Sequence, residues 1–150
     1  MVIDLVLAIL HHVLVFGIAA IIFAERVMVR RGLKGETIAL LARIDGHYGV
    51  LALAVIVVGI GRVFFGLRGW EYYIYYWAFW AKMAAFAAVG LLSIRPTMRF
   101  LGWRKAAAGN ADYVVPDDEI DAVEPYIKAE AVIFLLIPTF AAIMARGVGY

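Results

Sequence analysis

Two adjacent histidines, His11 and His12, stand inside an apolar stretch, LVLAILHHVLVFGIAAIIFA, that is long enough to cross a bilayer. An imidazole costs less than a charge in hydrocarbon, yet it still needs a partner, and ionisable groups within a membrane mark a ligand, an ion path or a cofactor. Neutral imidazole ligates haem iron, and an apolar helical bundle supplies both the slot and the low dielectric that a macrocycle needs. Successive helical residues point about 100° apart, so His11 and His12 cannot both ligate one iron from the same helix. At helical spacing His11 shares a face with Glu25, and His12 shares one with Arg26. His47, on the next apolar stretch, is a candidate second ligand if the two spans are offset, since its depth differs from that of the pair by about 5 to 10 Å.

Lys82 lies within AFWAKMAAFAAVGLLSI. An ammonium at that depth must meet a carboxylate, a carbonyl or an acidic ligand. Haem propionates would suit Lys82, with Arg62 beside them; Glu71 or a backbone carbonyl freed by a kink would serve a purely structural role. Met83, Met98 and Met144 are isolated and read as packing residues. Glu25, Arg26, Arg43, Asp45 and Glu130 fall at a second depth. They are expected to pair as ions, or to form a proton route together with His47.

The elements that must position these groups follow from the distribution of apolar residues. Of the 150 residues, 65% are hydrophobic, and the mean hydropathy is +0.89; such a chain is an integral membrane protein with the lipid bilayer as its first partner. A net charge of +2 gives no reason to expect nucleic acid. The absence of cysteine excludes disulfides, thiolate metal sites and cysteine-attached haem. The N-terminal apolar run is too long for a cleaved signal and carries Asp4 where a basic region would stand, so the first span is expected to remain.

Four spans are predicted, over about residues 5–27, 38–65, 73–94 and 126–145, forming an all-α, antiparallel, polytopic bundle that is a single membrane domain. Trp70 to Trp77 form an aromatic girdle of the kind that sits at headgroup level. Residues 97–124 are expected to be a soluble inner loop, in which Pro116 followed by Asp117, Asp118 and Glu119 starts a helix. Pro138 is expected to kink the last span. Lysine and arginine concentrate in the first and third connections, which places those loops in the cytoplasm and both termini outside a bacterial inner membrane. Gly49, Gly59, Gly61 and Gly90 offer small-residue surfaces for a homodimer or higher homo-oligomer.

LHHVLVFGIAA and FAERV in the first span, LARIDGHYG and GIGRVFFG in the second, and FWAKMAAFAAVGLLSIRPTMRFLGWR in the third closely resemble the bacterial predicted membrane proteins grouped as domain of unknown function family 2214. That resemblance covers nearly the whole chain and implies the architecture without a chemistry. A more distant likeness joins the order of histidine, arginine, lysine and glutamate to the HemJ haem-b protoporphyrinogen oxidases and the CopD copper-resistance membrane domains. It implies His11 as haem ligand, Arg26 as the basic residue at the inner end and Lys82 as an essential lysine. Glu130 matches more loosely, because Pro138 lies eight residues on.

The resulting expectation is a haem b-binding membrane protein serving electron transfer or porphyrin-linked redox chemistry. His11 or His12 would ligate iron, with His47, Arg62 and Lys82 completing the site. If it is an enzyme, it is expected to be an oxidoreductase of the HemJ kind. Two other classes compete: a small transporter or ion or proton channel, which needs a continuous polar path, and a cofactor-free accessory subunit, in which the histidines make only interhelical hydrogen bonds.

Overall fold

The computed structural model describes residues 2–150. Its helices are α1 (Val2–Met28), α2 (Glu36–Phe65), α3 (Gly69–Ile74), α4 (Trp77–Gly109), α5 (Asp117–Phe134) and α6 (Leu136–Arg146). Helices α1, α2 and α4, and the broken helix formed by α5 and α6, are each long and apolar enough to cross a membrane. The chain is therefore an all-α, four-span bundle, with α3 a short connector between the second and third crossings. The end that carries the first and third connections is rich in lysine and arginine and is called the basic end below; the opposite one is the terminal end.

The segment expected as a soluble loop over 97–124 is largely helical. Helix α4 passes through Pro96 and continues to Gly109, leaving only residues 110–116 between it and α5. Proline removes one intrahelical donor and strains the turn before it. Here the cost is offset on both sides. The residues that follow are mostly good helix formers, and Phe100 and Trp103 are fully buried beyond the proline. At about 1.5 Å per residue, the 33 residues of α4 reach about 50 Å, well past hydrocarbon of about 30 Å.

That overhang builds a second core at the basic end. Leu33, Ile38, Leu41, Phe100, Trp103, Val115, Ile120 and Ile127 pack there in one cluster. The two connections meet over it, Val115 N–H donating to the Leu33 carbonyl at 2.9 Å. Helix α5 begins as its sequence predicts, with Pro116 before three carboxylates in the first turn, where they complement the dipole. Acids along the first half of α5 receive the arginines of the other elements: Arg31 on Asp121 at 2.8 Å, Arg26 on Glu124 at 3.2 Å and Arg99 on Glu119 at 3.2 Å. The Trp103 indole donates to the same Glu119 oxygen at 2.6 Å.

Small residues set the approach of α1 to α2. A Cβ on Gly17 would stand 3.0 Å from Leu51, while Gly59 faces His11 and Gly61 faces Leu7. Gly59 and Gly61 are thus used within the bundle and are not open to a second copy; Gly49 and Gly90 meet nothing within 4 Å. The last crossing breaks at Leu135, three residues ahead of Pro138, because the proline cannot donate to the Phe134 carbonyl and its ring crowds that turn. Thr139 compensates by donating to the Leu135 carbonyl at 2.8 Å.

Trp103→Ala should destabilise the protein by about 3 to 5 kcal/mol, since it opens a cavity in the basic-end core and leaves Glu119 without its indole donor. Phe16→Ala, on a side chain 70% exposed on the outside of the bundle, should cost less than about 1 kcal/mol. Reversible unfolding in mixed micelles measures both, and equal losses would contradict the packing described.

Candidate functional site

In the half of the bundle nearer the terminal end, α1, α2, α4 and α6 enclose a cavity of about 320 Å³, with α3 at its end. Small-molecule sites fall in the range of about 300 to 1,000 Å³. Its wall is mostly apolar, with Ile18, Val55, Phe86, Phe134 and Ile137 among the lining residues. Three cations join them: Arg62 from α2, Arg68 from the turn before α3, and Lys82 from α4. His11 comes from α1, and Tyr72 and Tyr73 come from α3. Among the described residues no aspartate or glutamate lines the cavity.

The glycine at position 59 seats His11. A Cβ there would stand 3.5 Å from the ring carbon Cε1, so the imidazole lies close against the α2 backbone. Its Nδ1 is buried without a hydrogen-bond partner, and so is Nε of Arg62. Arg62 and Lys82 are the principal charges near the ring. The Lys82 ammonium sits 5.5 Å from the centre of the Phe79 ring, and among the described residues it forms no ion pair with Glu71 or any other carboxylate. A buried polar atom without a partner costs about 1 to 3 kcal/mol, and more when charged. Arg62 Nε points to a ligand that supplies an acceptor, and His11 Nδ1, according to its tautomer, to one that supplies an acceptor or takes a lone pair.

Tyrosines and the C-terminal backbone close the terminal end. Arg68 donates to the Ala145 carbonyl at 3.0 Å and lies over the Tyr72 ring, whose hydroxyl donates to the Met144 carbonyl at 2.7 Å. The Tyr76 hydroxyl lies 2.6 Å from the Val148 carbonyl and 3.1 Å from that of Ile143. Trp77 donates to the Gly149 carbonyl at 3.1 Å, and Tyr150 stacks on Tyr72. Gly147 makes this return of the chain feasible, holding φ at 68° where α6 ends. The expected interfacial girdle is therefore divided: Tyr76 is fully buried, while Trp70, Tyr75 and Trp77 remain exposed. Burial pushes the Tyr73 phenol above its ordinary range, which keeps it a neutral donor at the cavity rim.

Of the residues singled out by sequence, His11, Arg62 and Lys82 converge on the cavity. His12 does not: it is exposed, with Nδ1 2.6 Å from the Ala8 carbonyl one turn back. His47 is likewise outside, exposed and 2.7 Å from the Arg43 carbonyl. Each has one ring nitrogen against a carbonyl of its own helix and lies outside the cavity. Met83 and Met144, read as packing residues, line the cavity, as do Arg68, Tyr72 and Tyr73. The spacing of Arg68 and Tyr72, one turn apart, is the signal that could have marked them.

The second polar group also differs from expectation. Glu25, Asp45 and Glu130 are buried together, and Thr97 donates to Asp45 Oδ1 at 2.7 Å. The arginines expected among them are elsewhere. Arg26 pairs with Glu124, and Arg43 is exposed. A long cationic side chain near a helix end can extend to water, whereas a short carboxylate on an inward face cannot.

Tyr76→Phe should release the C-terminal residues while leaving the four crossings intact, at a cost of about 1 to 3 kcal/mol for the unpaired carbonyls. Amide exchange over Gly147 to Tyr150 should accelerate about tenfold or more, and unchanged exchange there would show that the hydroxyl does not hold the tail.

A family model described as "Predicted membrane protein (DUF2214)" matches residues 3–149. No curated protein matches the chain, and no solved structure does.

Proposed function

We propose that this chain, which belongs to the DUF2214 family of predicted membrane proteins, binds haem b in the cavity of its bundle and serves electron transfer. One observation carries the reading: an unpartnered imidazole and three cations share an apolar wall that has no carboxylate. A ligand complementary to that wall has a flat or bulky apolar body, carries acidic groups and offers a centre that accepts a nitrogen lone pair. Haem b satisfies all three requirements.

The residue types present fit that group, and the cavity of about 320 Å³ would have to widen to take the whole macrocycle. His11 would hold the iron through its imidazole, and Arg62, Arg68 and Lys82 would take the propionates. Met83 and Met144 are thioethers on the same wall and would add soft donors to the site. Bound haem supplies one-electron chemistry, and the buried apolar wall lowers the dielectric around it. His11 lies in van der Waals contact with the α2 backbone at Gly59, which would help hold the imidazole toward the cavity.

Counting lysine and arginine places the basic end in the cytoplasm of a bacterial cell and the cavity in the outer half of its inner membrane, with both termini outside. Gly49 and Gly90, open on the outside of the bundle, are the small-residue positions left for a homodimer. An apolar layer containing Ile18, Ile22, Val89 and Phe134 separates the cavity from the buried carboxyls. That layer weighs against a channel, which needs a continuous polar route. Porphyrin-linked oxidation is the second reading, because the same cations would hold a metal-free porphyrin by its carboxylates.

The test is titration of detergent-purified protein with haem b and with metal-free protoporphyrin, followed by absorption. Haem should give a Soret band that His11→Ala weakens by tenfold or more in affinity, while His12→Ala and His47→Ala leave it unchanged. The double variant Arg62→Gln, Lys82→Gln should weaken both porphyrins. Absence of binding by either, or a band that depends on His12, would sink the proposal; metal-free binding alone would select the second reading.

A further inference from the structure

We propose that the buried carboxyls of Glu25, Asp45 and Glu130 form a proton-binding site in the basic-end half of the membrane. The site lies outside the cavity residues, and it stands whether or not the cavity holds haem.

The three side chains come from three helices, α1, α2 and α5, so their meeting is a product of the bundle and not of local sequence. Each is at least nine-tenths buried, Glu130 completely. Asp45 and Glu130 are both close to Glu25, and the Glu25 and Asp45 carboxyls face each other. Thr97 on α4 supplies one hydroxyl, to Asp45. Glu130 is the independent sign that something is bound. Both of its oxygens are buried and make no hydrogen bond of normal geometry, the Tyr48 hydroxyl lying near them, and one oxygen of Glu25 is buried without a partner.

Three full charges cannot coexist there. Burying one unpaired charge already costs several kcal/mol, and like charges at close range add to it. The groups that face the site are Glu25 from α1, Asp45 and Tyr48 from α2, Ser93 and Thr97 from α4 and Glu130 from α5. None of these is a cation. The cations nearest in sequence face elsewhere: Arg43 is exposed, Arg26 and Lys128 pair with Glu124, Arg95 donates to the Tyr126 hydroxyl and Arg99 pairs with Glu119. Among the described residues no three acidic or histidine side chains are arranged to hold a metal ion. Protons are the remaining counter-charge.

A shared proton also answers the hydrogen-bond shortage. Two facing carboxylates have acceptors only, whereas a carboxylic acid beside a carboxylate has a donor. Each uptake converts one carboxylate and one hydronium ion into a carboxylic acid and water. The proton count of the site thereby responds to charge placed nearby. Glu130 is four residues, or about 6 Å of helix, from Phe134 on the cavity wall.

Infrared spectroscopy of the whole protein in liposomes tests this directly. At about pH 7, where exposed aspartate and glutamate are ionised, the wild-type protein should show the carbonyl stretch of a protonated carboxylic acid, shifted in deuterated water. Glu130→Gln or Asp45→Asn should reduce that band, and Glu119→Gln at the basic-end surface should not. Should the buried variants fail to fold, carbon-13 glutamate in the wild-type chain must still shift part of the band. No band at neutral pH, a band indifferent to the label, or a band abolished by sodium ions at constant pH would overturn the proposal, the last in favour of a cation site.

Discussion

Hydrocarbon offers no hydrogen-bond partner, and that constraint organises this molecule. Every polar side chain carried into the membrane by these apolar helices has to find an acceptor or donor on its own helix, on a neighbour or on a bound group. His12 and His47 take the first route, each meeting the carbonyl one turn back. Tyr72 and Tyr76 take the second, through the carbonyls of α6 and the tail. His11, Arg62, Glu25 and Glu130 retain buried atoms for which neither route is taken. The functional readings begin from those atoms.

Packing keeps these groups in two separate chambers. The cationic cavity lies toward the terminal end and the carboxyls toward the basic end, with an apolar layer between them. The apolar cluster that includes Ile18, Ile22, Val89 and Phe134 interrupts any hydrogen-bonded route between them. The two ends of the molecule are also secured differently. At the basic end a buried core under α4 and α5 is ringed by arginine–carboxylate pairs. At the terminal end tyrosine hydroxyls clamp the chain where it returns from α6. The cavity thus sits between a rigid apolar floor and a tied rim, the arrangement a preorganised site requires.

Much of this architecture is legible in the order of residues. Apolar run length gives four crossings, and the acids after Pro116 mark the start of α5 as predicted. His11, Arg62 and Lys82 are visible as a set because charged or imidazole groups at matching depths in apolar runs are rare. The extension of α4 past Pro96 is less visible, since proline alone argues for an ending and only the burial of Phe100 and Trp103 pays for continuing. The role of Met83, Met144 and Tyr73 in the cavity is not visible at all; each has an ordinary reading as packing or interfacial anchor.

By itself the sequence determined that the chain lives in a membrane, crosses it four times and buries two sets of ionisable groups, because those facts depend on length and hydropathy along one dimension. Only the tertiary structure decided which histidine faces inward, that the arginines leave the carboxyls unaccompanied, and that three cations gather around an apolar hollow. Those outcomes depend on the rotation of each helix about its axis. A turn of about 100° separates His11 from His12, and it is set by where glycines let neighbouring backbones approach, which no single span encodes.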